Sequence, residues 1–250
     1  WDINPAVNDG YPIINLKFIP EMKGIEPKDI DGNGFYNVST FSHLVWISRN
    51  TKSWKWNFAL ENDIKADSSY LINSDEGYAT IGNYFKHFSG IFDGRGHSID
   101  SLYINKATNF NLNLDYPRQG MFQFLSGKNS AIKNLKLTNC NFQGGFSVAG
   151  LVTDCSDGLI INCSVNGQLC GCGTVGGIIG DLSNSTLQNS SFKGKIYAEM
   201  AGGLIAQSSN SLISYCYSKA DILGRNCVGG LIADDLNSQI NDCYSIGNIS

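Results

Sequence analysis

The segments "MAGGLIA" at residues 200–206 and "NCVGGLIA" at 226–233 decide the fold, because they are near copies of one another. Earlier copies of the same pattern are "TVGGIIG" at 174–180 and "SVAGLVT" at 147–153. Each copy places a pair of small residues before two branched apolar residues, and successive copies are 26 or 27 positions apart. A repeat of this length is typical of a solenoid, in which each unit is stable only when it stacks on its neighbours.

A second set of positions follows the same period. Its members are separated by 28, 27, 26 and 27 residues, and we predict that they form an inward-facing core ladder: Leu135, Cys163, Ser190, Cys216 and Cys243. The apolar runs between them are only four or five residues long and are bounded by Gly, Asn and Ser, which favours strands over helices. The sequence therefore predicts an all-β chain folded as a right-handed parallel β-helix, with three short strands in each coil of about 27 residues.

One stretch near the start of the chain has helical spacing instead. Ser39 or Thr40 is a good N-cap, and the residues that would share one helical face are Phe41, Leu44, Val45 and Ser48. We predict a short helix of about ten residues that caps the first coil.

Composition excludes several kinds of partner. The net charge is −4 and only 16% of residues are charged, so the chain offers no basic face for nucleic acid. It contains no apolar run of 18 residues, so we predict no transmembrane segment. A Thr-x-Thr ladder, as expected for an ice- or crystal-binding surface, is also missing.

Several segments resemble a known family. The pattern "GGLIA" followed by "SLISYCYSKADILG" and "VGG" resembles the GLUG repeat of bacterial secreted and surface proteins. Upstream, "HFSGIFDGRGHSIDSLYI" at 87–104 resembles the coil that precedes such repeats, and "FALENDIKA" at 58–66 resembles a further strand of the family. Members are parts of large extracellular adhesins or immunoglobulin-protease-like surface proteins. The resemblance therefore implies an extracellular or cell-surface location.

The resemblance also suggests an organisation of the chain. Residues 1–20 would be the tail of a preceding unit or an extended N-terminal segment. Residues 21–119 would form the N-terminal cap and first coils, and residues 120–250 would form GLUG-like coils. Because the last coil ends without a polar capping turn, we expect that the coils continue beyond residue 250 or that another molecule or segment covers this end. Expected partners are other copies or neighbouring units of the same surface protein, and host or environmental glycans or proteins.

A calcium loop is one interpretation of "DIDGNGFYNVST" at 29–40. Asp29, Asp31 and Asn33 occupy the first, third and fifth positions of an EF-hand-type loop, but Thr40 stands where a bidentate Glu is expected. The alternative is a purely structural turn. Calcium is the only cofactor that the sequence suggests.

Two tryptophans lie close together in "WKW" at 54–56. Trp54 and Trp56 would stand on the same side of a strand, where their rings could stack on a glycan. The alternative is that they shield the start of the core.

The eight cysteines allow two interpretations. Cysteine is small and apolar enough to fill a core ladder. Parallel side chains one strand spacing apart, about 4.8 Å, point the same way rather than at each other. We therefore expect free, buried thiols along the ladder, while one local disulfide remains open among Cys140, Cys155, Cys170, Cys172 and Cys227.

Catalysis has few candidate residues. The motifs HExxH, GxSxG and the phosphate-binding loop are missing from the sequence. The strongest candidates are the carboxylates Asp234 and Asp235, with Asp154 in an earlier unit, and the group Asp93, Arg95 and His97. We therefore expect a structural or adhesive module that is not an enzyme and that presents a repeated surface for attachment or assembly. The alternative is a polysaccharide lyase or glycoside hydrolase.

Overall fold

The computed structural model describes residues 22–106 and 118–250, and it confirms the predicted parallel β-solenoid. Within these ranges there is a single α-helix, and all named strand pairs are parallel. About five coils of roughly 27 residues stack along the axis. The predicted tail at 1–20 lies outside the described residues, and the division at 119/120 stays a prediction.

The helix α1 (Phe41–Arg49) begins where the sequence predicts. The Thr40 side chain accepts a hydrogen bond from the His43 amide at 3.3 Å, so Thr40 is the N-cap. The predicted apolar face is buried. Two short 3₁₀ segments, Thr51–Lys55 and Ser69–Leu71, complete the helical structure of the described residues. None of these helices is long and apolar enough to cross a membrane.

Six strands precede the regular coils: β1 (Phe35–Val38), β2 (Asn57–Leu60), β3 (Ile64–Lys65), β4 (Ile91–Asp93), β5 (Ser98–Asp100) and β6 (Tyr103–Asn105). The coils then pass through four sheets in a fixed order. Sheet I contains β7 (Arg118–Gln119), β11 (Ser147–Ala149), β15 (Thr174–Gly176), β19 (Met200–Gly202) and β23 (Val228–Gly229). Sheet II contains β8 (Phe122–Ser126), β12 (Val152–Ser156), β16 (Ile179–Ser183), β20 (Ile205–Ser209) and β24 (Ile232–Leu236).

Sheet III of the coils contains β9 (Ala131–Lys133), β13 (Leu159–Ile161), β17 (Thr186–Gln188), β21 (Leu212–Ser214) and β25 (Gln239–Asn241), and β1, β2 and β4 extend it. Sheet IV contains β10 (Lys136–Gln143), β14 (Ser164–Cys170), β18 (Ser191–Ala198), β22 (Tyr217–Gly224) and β26 (Tyr244–Ile246), and β3, β5 and β6 extend it. Each coil thus has four strands rather than the expected three. Corners of two residues, such as 184–185 between β16 and β17, separate strands that look continuous in the sequence.

The glycine pairs lie at the corner between sheets I and II. A Cβ atom on Gly202 would lie 1.6 Å from the Ile205 carbonyl oxygen, and one on Gly203 would lie 2.0 Å from the Gly230 carbonyl oxygen. The backbone passes so close to itself here that a larger residue would clash. The repeated Gly-Gly is therefore a packing requirement of the corner.

The predicted ladder lies at the corner between sheets III and IV. Leu135, Cys163, Ser190 and Cys216 are buried, and Cys243 in the last coil is partly buried. The side chains of Ser190, Cys216 and Cys243 do more than fill space, because each accepts a hydrogen bond from the amide of the preceding rung. The Cys163 amide donates to Ser190 Oγ at 3.1 Å, and the Ser190 amide donates to Cys216 Sγ at 3.4 Å. All eight cysteines are free thiols.

The residue before each rung turns the chain. It has a positive φ of 47–56° in every coil, at Asn134, Asn162, Asn189, Tyr215 and Asp242. Asparagine tolerates this left-handed conformation better than most residues, which explains why Asn recurs just before the ladder.

Candidate functional site

Outward side chains of sheet II form a row with one residue from each coil. The register aligns Phe124, Asp154, Asp181, Gln207 and Asp234 on five neighbouring strands. Alternate residues of a strand point to opposite faces, so these side chains point away from the buried core. Two carboxyl groups, those of Asp154 and Asp181, thus stand on adjacent rungs about 4.8 Å apart along the axis.

Arg118 reaches this row from sheet I. Its guanidinium group forms an ion pair with the carboxylate of Asp154 and lies 5.5 Å from the centre of the Phe124 ring. Both partners of the ion pair are mostly covered, with side-chain exposures of 30% for Arg118 and 20% for Asp154. The pair is therefore less screened by solvent than a surface salt bridge.

The two carboxyl groups are held above their ordinary pKa. Burial raises the pKa of Asp154, and the neighbouring Asp181 charge adds to this, while Arg118 opposes it. Burial likewise raises the pKa of Asp181 against the attraction of Arg118. One guanidinium group thus lies near two partly desolvated carboxyl groups. Because burial outweighs its attraction, both carboxyls bind a proton more readily than an ordinary aspartate does.

A protruding loop at residues 82–87 borders the row. Both ends of the loop pair with β8. Ile81, before the loop, bridges to Phe122, and Phe88, after it, bridges to Leu125. Asn83 fixes the loop, because its side-chain oxygen accepts hydrogen bonds from the amides of Phe85 at 3.0 Å and Lys86 at 2.9 Å. The loop is thereby held as a tight turn rather than an open excursion.

The loop carries aromatic side chains toward solvent. Phe85 is 92% exposed and Tyr84 is 64% exposed. His87 stacks on the Phe124 ring with a centroid distance of 4.9 Å, and Tyr84 meets the same ring edge-on at 6.3 Å. We call the combined surface the aromatic–carboxylate face, consisting of Tyr84, Phe85, His87, Arg118, Phe124, Asp154 and Asp181.

This face combines two chemical abilities. An exposed aromatic ring on a fixed loop, beside a covered arginine, has the features of an anchor in protein recognition. Adjacent carboxyls with raised pKa can also donate or accept a proton near a bound substrate.

The other acidic candidates from the sequence serve turns. Asp235 accepts hydrogen bonds from the Ser208 hydroxyl and, at 3.2 Å, from the Ser238 amide. Asp93 accepts from the Arg95 amide at 2.9 Å and from the Asn134 side chain at 3.0 Å. Asp93 also pairs with Lys133 at 3.2 Å, Arg95 with Glu61 at 2.7 Å and His97 with Asp63 at 3.5 Å. Among the acidic candidates, Asp154 and Asp234 lie in the sheet II row, and Asp154 is the one beside a second carboxyl group, that of Asp181.

The residues of the predicted calcium loop lie together on an exposed turn. The Asp29 carboxylate accepts from the amides of Asn33 at 3.2 Å and Gly34 at 3.0 Å. The Asp31 carboxylate accepts from the Asn33 side chain at 2.7 Å. The described residues contain no group of three or more His, Cys, Asp or Glu side chains arranged to hold a metal. Calcium at this loop stays a prediction.

The predicted tryptophan surface requires a correction. Trp54 is only 2% exposed and its indole nitrogen donates to the Ile47 carbonyl at 2.8 Å, so its ring packs under α1 and cannot meet a glycan. Trp54 lies in a 3₁₀ helix that ends at Lys55, and Trp56 follows it in extended conformation, so the two do not share one strand. Trp56 is partly buried and stacks on Tyr36 at 4.4 Å and on Trp46 at 5.9 Å. Glycan contact at Trp56 stays a prediction.

Most of the aromatic–carboxylate face was missed at the sequence level. Arg118 and Asp154 are 36 positions apart, and the aromatic loop interrupts the repeat. One signal was present: Asp154 and Asp181 are separated by 27 residues, which is the period itself.

The chain is similar in sequence to several known proteins. The chain is similar to segments of immunoglobulin A1 proteases. It is 27% identical to the Streptococcus sanguinis protein over 222 residues, which is 81% of this chain and 11% of that protein. It is 26% identical to the Streptococcus pneumoniae protein over 216 residues, which is 83% of this chain and 10% of that protein. It is also 27% identical to halomucin of Haloquadratum walsbyi over 163 residues, covering 62% of this chain and 2% of halomucin.

Solved structures support the same fold. An IgA1 protease structure superposes with a TM-score of 0.67 at 22% identity, covering 90% of this chain and 17% of that one. A Bacteroides ovatus protein provisionally assigned as an immunoglobulin A1 protease gives a TM-score of 0.57 at 18% identity, covering 86% of this chain and 67% of that one. No family model matches the chain, so the GLUG repeat is not confirmed.

These similarities correct one expectation. We expected a chain that is not an enzyme, yet two of the proteins to which it is similar are named as proteases, which contradicts that expectation. The chain spans about a tenth or less of the length of the relatives that it matches.

Proposed function

We propose that the chain is the β-solenoid segment of an extracellular, immunoglobulin-A1-protease-like surface protein, and that its aromatic–carboxylate face binds the immunoglobulin substrate. The observation that carries the proposal is the similarity to two immunoglobulin A1 proteases over more than four fifths of this chain. The segment would then contribute to proteolysis by holding the substrate against the rest of the protein. Attachment of the protein to further surface components is compatible with the same repeated scaffold.

The anchor of the binding surface would be Phe85. An apolar ring that is 92% exposed gains free energy when a partner covers it. The fixed loop reduces the entropy lost on binding, because Asn83 already holds the backbone in one conformation. Asp181, whose carboxyl is not closed off by a direct ion pair among the described residues, would meet basic or hydroxyl groups of the partner.

The test is equilibrium binding of the 250-residue chain to immunoglobulin A1, with immunoglobulin G as the comparison protein. Phe85→Ala is expected to weaken binding at least ~10-fold, the usual effect of removing an anchor residue. Ile30→Ala is the matched control, because it truncates another highly exposed apolar side chain, 80% exposed, on a different loop. The same mixtures would be inspected for immunoglobulin fragments. Absence of binding to immunoglobulin A1, or equal binding by both variants, would contradict the proposal.

A second candidate function is cleavage of a polysaccharide. It rests on Asp154 and Asp181, which stand in register on adjacent strands with raised pKa. Glycoside hydrolases use two carboxyl groups about 5–10 Å apart, one of which is held protonated. Incubation with acidic and neutral glycans, followed by assay of new reducing or unsaturated ends, tests this function. Turnover that Asp181→Asn abolishes would favour it over immunoglobulin binding.

A further inference from the structure

Sheet IV carries an outward surface of different chemistry. Lys193 and Lys195 on β18 and Lys219 on β22 are outward residues of neighbouring strands. Among the described residues, none of these three lysines forms an ion pair. The register also places the exposed Asp221 beside Lys195, so three lysines and one carboxylate face outward here. The surface therefore carries a positive excess, whereas the chain as a whole has a net charge of −4.

A row of residues runs beside the lysines. The register aligns, in order along the axis, Lys136, Ser164, Ser191, Tyr217 and Tyr244. The two tyrosine rings are stacked, with a centroid distance of 5.3 Å and an angle of 7° between their planes. The row therefore has aromatic rungs at one end, a lysine at the other, and two serines between them.

Because serine is much smaller than tyrosine, the row has open space at Ser164 and Ser191, where the next two coils have tyrosine rings. We call this space the serine gap, defined by Ser164 and Ser191. It is two rungs long, or about 10 Å along the axis. One face of the Tyr217 ring is covered by Tyr244, and the row places Ser191 on the other side of Tyr217. Tyr217 is 41% exposed, as expected for a ring with one open face.

We propose that the serine gap binds an acidic glycan. A pyranose ring would stack on the open face of Tyr217 as the next ring of the ladder, because the electron-rich face of an aromatic ring attracts the C–H groups of a sugar. A carboxylate or sulfate on that sugar would pair with Lys193, which lies beside Ser191 on the same strand and face. Asn166 and Gln168, the neighbouring outward residues of β14, would hydrogen-bond its hydroxyl groups.

The surface favours a sugar over an acidic peptide. Recognition of an extended peptide commonly uses a free sheet edge, whereas these strands are already paired on both sides within sheet IV. The floor of the gap consists of short polar side chains, which suit hydroxyl groups better than apolar ones.

The experiment is calorimetric titration with 3′-sialyllactose and trigalacturonate, using lactose and galactotriose as neutral counterparts. The acidic sugars are expected to bind, and the neutral ones to bind at least ~10-fold more weakly. Ser191→Tyr extends the ring ladder into the gap and should reduce acidic-sugar binding at least ~10-fold. Lys193→Ala/Lys195→Ala should reduce it similarly and remove its salt dependence. Ile30→Ala, on an exposed turn outside both surfaces, is the control and should bind the sugars like the parent chain.

Three results would overturn the proposal. The first is absence of heat with both acidic sugars at about 5 mM, a concentration that detects millimolar affinity. The second is unchanged binding by Ser191→Tyr with a native circular dichroism spectrum; if that variant does not fold, unchanged binding by Tyr217→Ser has the same meaning. The third is equal competition by a hexaglutamate peptide, which would indicate general anion attraction. Immunoglobulin binding through sheet II is measured separately and does not depend on these results.

Discussion

Sheets II and IV are built from the same coils, yet their outward faces differ in charge and in how the charges are covered. On sheet II, Asp154 and Asp181 are partly desolvated and share the guanidinium group of Arg118. On sheet IV, Lys193 and Lys195 project without an ion-pair partner among the described residues. Around each coil the two sheets are separated by sheet I on one side and sheet III on the other.

The difference shows where the repeat constrains the sequence. Inward residues such as Leu169, Ile196 and Ile222 occupy one aligned station and remain apolar in each coil, because they fill a continuous core. Outward residues at neighbouring positions need only suit a strand, so they can diverge from coil to coil and from sheet to sheet. We therefore assign the proposed functions to outward-facing residues. The predictions below compare the shared core with the outward faces of sheets II and IV.

The largest effect is expected at the shared corner. Gly202→Val should cost more than about 4 kcal/mol of unfolding free energy, since the new Cβ would lie 1.6 Å from the Ile205 carbonyl oxygen. Lys219→Val, an outward change on sheet IV, should alter stability by less than about 1 kcal/mol. Urea denaturation followed by circular dichroism measures both. A Gly202→Val protein as stable as the parent would mean that the corner is not closely packed.

Inward and outward thiols should differ strongly in reactivity. Burial raises the pKa of Cys163 and of Cys216 to about 12, so their thiolate fraction at pH 8 is about a thousandfold below that of an ordinary cysteine. Iodoacetamide should therefore modify the exposed Cys172 and leave Cys163 and Cys216 intact until the chain is unfolded, as read by mass spectrometry. Comparable rates of modification at Cys163 and Cys172 would indicate that the ladder cysteines are exposed to solvent.

Two aspartates of sheet II should respond to pH in opposite directions. Burial raises the pKa of Asp181, so the native state holds its proton more tightly than the unfolded state. Stability from this group is thus present at low pH and is lost as pH rises through its raised pKa. For Asp235, burial raises the pKa, but hydrogen bonds from Ser208 and Ser238 outweigh it and the net pKa is lowered. Its contribution is present at neutral pH and is lost as pH falls through the lowered pKa.

The measurement is thermal unfolding of Asp181→Asn and Asp235→Asn between pH 3 and pH 8. Asp181→Asn should raise the melting temperature at neutral pH and reduce the fall in stability with rising pH. Asp235→Asn should lower the melting temperature at neutral pH and have a smaller effect in acid. Shifts of the same sign for both variants would contradict the assigned environments.

The repeated core positions and the short helix were predictable from the sequence. The ladder from Leu135 to Cys243 and the helix after Thr40 were confirmed in place, because core filling and helix capping act through local residue types. The fourth strand of each coil was missed, since a two-residue corner leaves little trace in the apolar pattern. The burial of Trp54 agrees with the interpretation that it shields the start of the core, whereas glycan stacking by Trp54 was wrong, because its indole is covered and donates to the Ile47 carbonyl.

The candidate site was less predictable than the fold. Arg118 on sheet I and Phe124 on sheet II belong to one coil, and they meet Asp154 of the next coil only because the coils stack in register. Outward residues have no repeating composition, so period alone could align Asp154 with Asp181 but could not indicate their partners.

The most direct test of the account is immunoglobulin A1 binding by two variants that each alter one face. We expect Phe85→Ala to weaken binding at least ~10-fold, and Lys193→Ala/Lys195→Ala to leave the dissociation constant within about twofold of the parent value. That result would assign immunoglobulin recognition to sheet II and separate it from the lysine surface of sheet IV. Retained binding by Phe85→Ala together with lost binding by the lysine variant would contradict the account.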